Sequence, residues 1–383
     1  MPPLHLLLLA ASLLVAFLTA PSSRAAEPPL APLRVGIVGL THGHVGGFLS
    51  GGALVPAGGL LQRQDAELVG IVEPDQALFD SYARRLHLAP ELHFRSVEEM
   101  AAQAHPAAVL VCTATSEHRQ IVEQCAALGI HVMVEKPLAV SYPEALAIQQ
   151  AAARGKIHVL VDYETSWYRS VAAAQRLFSQ GTLGPLTKAV FRDGHQGPKL
   201  IHVSPEFLTI LTDPKLNGAG ALYDFGCYGP DLLTALLAGE RPLSVTAVTK
   251  QLQPKLYPQV DDEAVIILNY RQSVAIIEAS WNWPYSLKQM DLYGKTGSAL
   301  ALDPDTLQVR RAGAGKLEMA PSDPVPAPFD DPLHYLAAVI RGEVAEEDSV
   351  SSLKTNVVVS EILEAARQSA SSGKTIGLPL PQD

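Results

Sequence analysis

Arg34-Val-Gly-Ile-Val38, running into Gly39-Leu-Thr-His-Gly43-His-Val-Gly46-Gly47, is the stretch on which the fold turns. A short apolar run that ends in clustered glycines reads as a buried strand entering a tight turn before a helix. Residues 67–72 repeat the strand pattern, and Asp75 follows as an N-cap for a helix through Arg85. Ser96-Val-Glu-Glu99 opens a third helix as a capping box, and residues 107–112 form the next continuous apolar strand. A helix from about Glu117 stops at Gly129, a residue suited to a left-handed C-cap. Residues 130–134 form a strand, Ser141-Tyr-Pro-Glu144 opens a helix ending near Gly155, and residues 157–161 form another strand. Strands alternating with helices in this way imply an α/β fold, a doubly wound parallel sheet of Rossmann type.

After Tyr163 the rhythm changes. Residues 186–192, 243–248, 263–270, 274–280, 288–293 and 298–302 are strand-like, and the later ones are joined by short turns such as Gly294-Lys-Thr-Gly297. Two helices, about 332–341 and 351–369, close the chain. The second half therefore reads as an α+β domain on a largely antiparallel open sheet. The expected organisation is residues 33–163 as one domain and 164–383 as a second, with the ligand site between them.

The 383-residue chain carries a net charge of −10 and no basic run or face, which argues against nucleic acid as a partner. Residues 4–20 are almost wholly apolar, and Pro21-Ser-Ser-Arg-Ala25 supplies small residues for cleavage after Ala25. Residues 1–25 thus read as a signal peptide, with an uncleaved anchor as the alternative, and 26–32 as a linker. The expected location is exported, periplasmic or extracytoplasmic. No twin-Arg pair precedes the apolar stretch. Cys112, Cys125 and Cys227 read as small buried hydrophobes, and no Cys/His spacing resembles a zinc site.

In a doubly wound sheet the first strand–helix turn receives a dinucleotide pyrophosphate on glycines and free N–H groups. Here the turn departs from G-x-G-x-x-G: counted from Gly39, the second glycine position holds Thr41 and the third His44, with Gly43 and Gly46 close by. Glu73, ending the second strand, is placed to accept the ribose hydroxyls of NAD and to repel the extra phosphate of NADP. The alternative is that Glu73 merely begins a solvated turn with Pro74. His42 and His44 need further ligands before they could hold a metal, and the sequence places none, so no metal is assigned. They direct N–H groups toward phosphate or fill the turn.

Glu135-Lys136-Pro137 follows the 130–134 strand. It resembles the Glu-Lys-Pro signature of the Gfo/Idh/MocA oxidoreductases, the family of glucose–fructose oxidoreductase and inositol dehydrogenases. Ala114-Thr-Ser-Glu-His118 is similar to that family's Thr-Pro-Asn-x-x-His loop, with Pro and Asn replaced. The segment from Gly218 through Asp224, Gly226, Tyr228 and Asp231 is similar to its Gly-Gly-Gly-x-x-x-Asp-x-Gly-x-His/Tyr-x-x-Asp segment. The resemblance runs from about Leu33 to the C-terminus. It implies a bound nicotinamide dinucleotide held by Gly39, Thr41, His42, Gly43, His44, Glu73, Thr113, Ala114, His118, Glu135 and Lys136. It also implies a carbohydrate or polyol substrate and a homo-oligomer.

Hydride transfer from an alcohol needs a base, a positive partner for the developing alkoxide and a fixed carbon. Lys136 is the positive group. Tyr228 is the candidate base, with an adjacent ammonium expected to favour its phenolate. Asp224 orients Lys136 or bonds a substrate hydroxyl, with an N-cap role for the helix through Leu236 as the alternative. Asp231 stands behind them, and Tyr163, Trp167, Tyr168, Arg192, His195 and His202 are further candidates for lining the substrate cleft. The function expected is an NAD(P)-dependent oxidoreductase acting on a CH–OH group of a sugar, polyol or related hydroxy compound. Two alternatives stand beside it: an exported glycosidase that recycles tightly bound NAD, and a non-catalytic sugar-binding protein. An exported enzyme has no free dinucleotide pool, so its cofactor must be held tightly and regenerated in place.

Overall fold

The computed structural model describes residues 31–52, 54–346 and 349–381. The signal or anchor expected in residues 1–25, and most of the linker, lie outside the described residues. Strands β1 (Leu33–Val38), β2 (Ala66–Val72), β3 (His93–Phe94), β4 (Ala108–Val111), β5 (His131–Glu135) and β6 (Val159–Asp162) form a parallel sheet in the order β3-β2-β1-β4-β5-β6. Order reverses between β1 and β4, which opens a crevice at their carboxyl ends, where open α/β sheets bind ligands. β4 reads Ala-Val-Leu-Val and is buried throughout, as both-face coverage demands.

Local chemistry sets the helix ends. The Asp75 carboxylate accepts from the Ala77 and Leu78 N–H groups, Ser96 from Glu99, and Ser141 from Glu144. Gly129 closes His118–Leu128 at φ 71°. The first crossover helix departs from expectation. It spans only Val45–Ser50, so Gly46 and Gly47 are helical rather than part of the loop. Gly51, at φ 83°, ends it, and irregular chain leads on to β2.

The second sheet has nine strands. These are β7 (Leu186–Gly194), β8 (Ser244–Lys250), β9 (Glu263–Asn269), β10 (Val274–Ser280), β11 (Leu287–Gly294), β12 (Gly297–Ala301), β13 (Leu307–Arg311), β14 (Glu318–Ala320) and β15 (Ile376–Gly377). Their order is β14-β13-β12-β11-β7-β10-β9-β8-β15. It is mostly antiparallel, but β7 and β10 pair in parallel. β3 and β13–β15 went unread in the sequence because they are short or lie among turn residues. On β9, Ala264, Ile266 and Leu268 are buried while Val265 and Ile267 are exposed, the alternation of a sheet covered on one face. The helix Leu353–Ser372 packs on β8 and also on the helix Tyr142–Gly155, tying the second sheet to the first.

Gly39 is the residue the crevice cannot do without. Its φ is +84°, and a Cβ there would fall 2.3 Å from Thr113 Cγ2 and 3.0 Å from the Cys112 carbonyl oxygen. Gly39→Ala is therefore expected to destabilise the chain by roughly 1–3 kcal/mol. Urea unfolding checks this, and a midpoint equal to the parent's would contradict it.

Candidate active site

Two hollows lie along the carboxyl edge of the first sheet. A crevice of about 400 Å³ is lined by Val38, Gly39 and Thr41 after β1, Glu73 and Pro74 after β2, Arg95 after β3, and Thr113 and Glu117 after β4. A cavity of about 670 Å³ begins at Gly43 and His44 and reaches Lys136, His195, Asp224, Tyr228 and Lys288. The glycine turn runs between them.

Glu73 faces the crevice and ties its floor together. One carboxylate oxygen accepts the Leu40 N–H and the other the Asp75 N–H, both at 2.9 Å. Burial raises its pKa, and those two N–H groups hold it partly back. Each oxygen keeps a lone pair for a ribose hydroxyl. Thr41 Oγ1 bonds the Cys112 carbonyl, and Thr113 lines the same crevice.

The cavity is built around one buried ion pair. Lys136 Nζ donates to Asp224 Oδ1 at 2.6 Å and to the Asp224 carbonyl at 3.0 Å. The indole N–H of the fully buried Trp281 donates to Asp224 Oδ2 at 2.8 Å. Burial opposes charge on both partners, but their attraction wins: the lysine is raised, and Asp224 falls to about 2. Asp224 ends the short helix Ala221–Asp224, while Cys227 caps the helix Tyr228–Leu236, so the N-cap role for Asp224 is excluded.

Tyr228 corrects the sequence reading. Burial pushes its phenol well above the usual value, and the nearby Glu164, Cys227, Asp224 and Glu135 push the same way. The Lys136 ammonium, 5.4 Å from the ring centroid, pulls the other way, but burial and these acids outweigh it. Tyr228 is a neutral phenol.

Lys288 went unread in the sequence. Its ammonium lies 5.4 Å from the same ring and pairs with Glu164 Oε2 at 2.5 Å. Glu164 also accepts the Tyr168 hydroxyl. Lys288 is the second residue of β11 with no motif around it, and only its pairing opposite Asp193 of β7 brings it to the cavity. His195 packs edge-on against Phe225 at 4.9 Å. Its Nδ1 accepts the Gly197 N–H at 2.9 Å, and burial lowers its pKa against the pull of Asp224.

His42 and His44 meet Glu135. His44 Nδ1 lies 3.0 and 3.1 Å from the Glu135 oxygens, and His42 Nδ1 lies 3.8 Å away. Burial would raise Glu135, but His44, His42 and Lys136 hold it down to about 2, while burial takes His42 to about 3.

Other expected residues sit elsewhere. His118 is buried with Nδ1 against the Leu138 carbonyl, Ala114 is buried, and neither lines a hollow. Tyr163 and Asp231 are buried, Tyr163 edge-on behind Tyr228. Trp167 donates to Asp162 and lines a different groove beside Tyr335. Arg192 pairs with Glu278 and Asp291 within the second sheet, away from the cavity. His202 does not line the cavity either. Of these seven, His118, Ala114, Tyr163 and Asp231 are buried, Trp167 and Arg192 are engaged by neighbouring acids, and His202 is exposed.

Residues 33–163 match the family model for the oxidoreductase family with an NAD-binding Rossmann fold, and residues 171–300 match that family's C-terminal domain. The chain belongs to the Gfo/Idh/MocA oxidoreductase family. Human trans-1,2-dihydrobenzene-1,2-diol dehydrogenase is 25% identical over 338 residues, covering 84% of this chain and 92% of that protein. Among solved structures, an aldose-aldose oxidoreductase from Caulobacter crescentus aligns with TM-score 0.76 at 19% identity, over 91% of this chain and 100% of that one. An inositol dehydrogenase homologue from Azotobacter vinelandii aligns with TM-score 0.74 at 18% identity, over 91% and 98%.

Removing Asp224 would strand a buried ammonium. Asp224→Ala is expected to cost about 3–5 kcal/mol. Because the folded carboxyl lies near 2 against an ordinary 3.8, its contribution is complete above about pH 4 and fades as pH falls toward 2. Urea unfolding at pH 7 and at pH 3 checks both parts. A variant as stable as the parent at pH 7 would count against the pairing.

Proposed function

We propose that the chain is an NAD-dependent dehydrogenase moving a hydride between a CH–OH carbon of a sugar, polyol or related hydroxy compound and a nicotinamide. The observation that carries this reading is the buried Lys136–Asp224 pair on the wall of a cavity at the carboxyl edge of the first sheet. The adjoining crevice, with Glu73 facing it and Gly39 keeping its turn tight, suits the adenosine half of the dinucleotide.

A bound nicotinamide would accept or return the hydride. The chain supplies position, charge and a proton. Lys136 presents its ammonium to the substrate oxygen as negative charge develops there, and Asp224 and Trp281 fix it so that little reorganisation is needed. Tyr228 holds a proton at neutral pH and suits delivery to that oxygen in the carbonyl-reducing direction. With Nδ1 of His195 accepting from Gly197, the neutral ring carries its proton on Nε2, a donor for a substrate hydroxyl. Structures of the same fold carry glycerol and myo-inositol, and the curated relatives are diol dehydrogenases, which supports a hydroxylated small molecule.

Glu73 supports NAD over NADP, since a carboxylate at the end of the second strand would repel the extra phosphate. Arg95 in the same crevice favours a second reading in which that phosphate is accepted. Calorimetric titration with each dinucleotide decides; tighter NADP would reverse the choice. Export is proposed on the apolar residues 4–20 and tested by whether the mature chain begins at Ala26. Among the described residues no helix is long and apolar enough to cross a membrane.

Lys136→Ala is expected to lower turnover roughly 10²–10⁴-fold. Because it leaves the buried Asp224 carboxylate without its cation it should also lose stability, so turnover is read on protein shown to be folded by circular dichroism. Spectrophotometry of NADH formation on a panel of polyols and aldoses reads this. Near-parental turnover, or sugar release without net NADH, would remove the assignment. Because burial raises the Tyr228 pKa amid Lys136, Lys288, Glu164, Asp224, Cys227 and Glu135, alcohol oxidation should accelerate as pH climbs from 7 to 10. Tyr228→Phe should lose that rise, and a rise persisting in the variant would place the proton elsewhere.

A further inference from the structure

Two histidines separated by one residue are brought to a carboxylate 91 positions away in the chain. His44 Nδ1 lies 3.0 Å from Glu135 Oε1, and His42 Nδ1 lies 3.8 Å from the same atom. One ligand atom from each of the three residues falls within 4.8 Å of the others. Zinc bonds of about 2.0–2.2 Å in a tetrahedron set neighbouring ligand atoms about 3.3–3.5 Å apart, a value the two measured separations straddle. The contact from the His44 N–H to His42 Nδ1 is long, at 3.3 Å, so that lone pair is weakly engaged.

The surroundings suit a held ion with one exposed side. His42 and Glu135 are buried, and the His42 ring is fixed edge-on against Phe207 at 4.3 Å. His44 is half-buried and lines the cavity. Two imidazoles and one carboxylate are the protein ligands of a site that leaves its fourth position open.

We propose that His42, His44 and Glu135 bind one divalent transition-metal ion of the zinc class, with the fourth position open to the cavity for an oxygen ligand. This goes beyond the hydride-transfer reading and does not depend on it, since its readout is the ion itself. Imidazole-rich sites hold the later first-row metals more tightly than magnesium or calcium, so those two should not compete.

The test is titration of chelator-treated full-length protein with cobalt(II), followed in the visible spectrum, then displacement by zinc. The expected result is one equivalent bound with the intense bands of a tetrahedral centre, unaffected by millimolar magnesium. His44→Ala and Glu135→Gln should each weaken binding at least about 100-fold, while circular dichroism and thermal melting report whether each variant is folded. If Glu135→Gln does not fold, the half-buried His44 carries the test. His87→Ala, which removes an exposed histidine on the first domain, should change nothing. Absence of saturable cobalt binding, a weak octahedral spectrum, or unchanged affinity in His44→Ala would overturn the proposal and leave a plain His–Glu hydrogen bond.

Discussion

The ion pair between Lys136 and Asp224 joins residues 88 apart, one at the end of β5 and the other at the end of a short helix before Tyr228. Neither charge could sit in that interior alone, because burial costs an unpaired ion several kcal/mol. The pair therefore requires both halves of the chain to be in place, and Trp281 at the end of β10 fills the remaining carboxylate oxygen. A site made this way is rigid for the same reason that it is costly to disturb. The ammonium has two oxygens fixing its position before any substrate arrives.

The same rule sorts the other buried acids around the cavity. Glu164 pairs with Lys288 and Glu135 meets two histidines, and both are held below the usual carboxylate range. For Asp193, Asp162 and Asp231 burial is the largest influence and drives all three upward, against the pull of Lys288 on Asp193, Trp167 on Asp162 and Asn356 on Asp231. The acids held low are thus those beside a basic side chain at the cavity, and the acids raised by burial lie in the packing. Tyr228 belongs with the groups raised by burial. Two ammonium ions touch its ring face, but four acidic groups around it and full burial outweigh them.

Periodicity and capping made the first sheet legible: Asp75, Ser96, Ser141 and Gly129 each do locally what their residue type does anywhere. The Glu-Lys-Pro phrase and Asp224 were legible as a motif. What stayed hidden depends on distant register. Lys288 is an ordinary strand lysine until β11 is laid beside β7, and Glu135 completes the histidine pair only when β5 takes its place in the sheet. The misreadings share a cause. Trp167, Tyr163, Asp231 and His118 carry functional-looking chemistry, but Trp167 is tied to Asp162, and Tyr163, Asp231 and His118 are buried off the cavity wall. The parallel pairing of β7 with β10 likewise follows from a long connection that no local pattern announces.

The turn between crevice and cavity is covered from the second half of the chain. Phe207, on the helix Pro205–Thr212, lies against the His42 ring, and a Cβ on Gly43 would come within 3.1 Å of it. A Cβ at 43 would require the Phe207 ring to give by a few tenths of an ångström, so the glycine eases the close approach of this helix to the turn. A dinucleotide reaching from the Glu73 crevice to the Lys136 cavity must pass Thr41 and Gly43, beneath this contact.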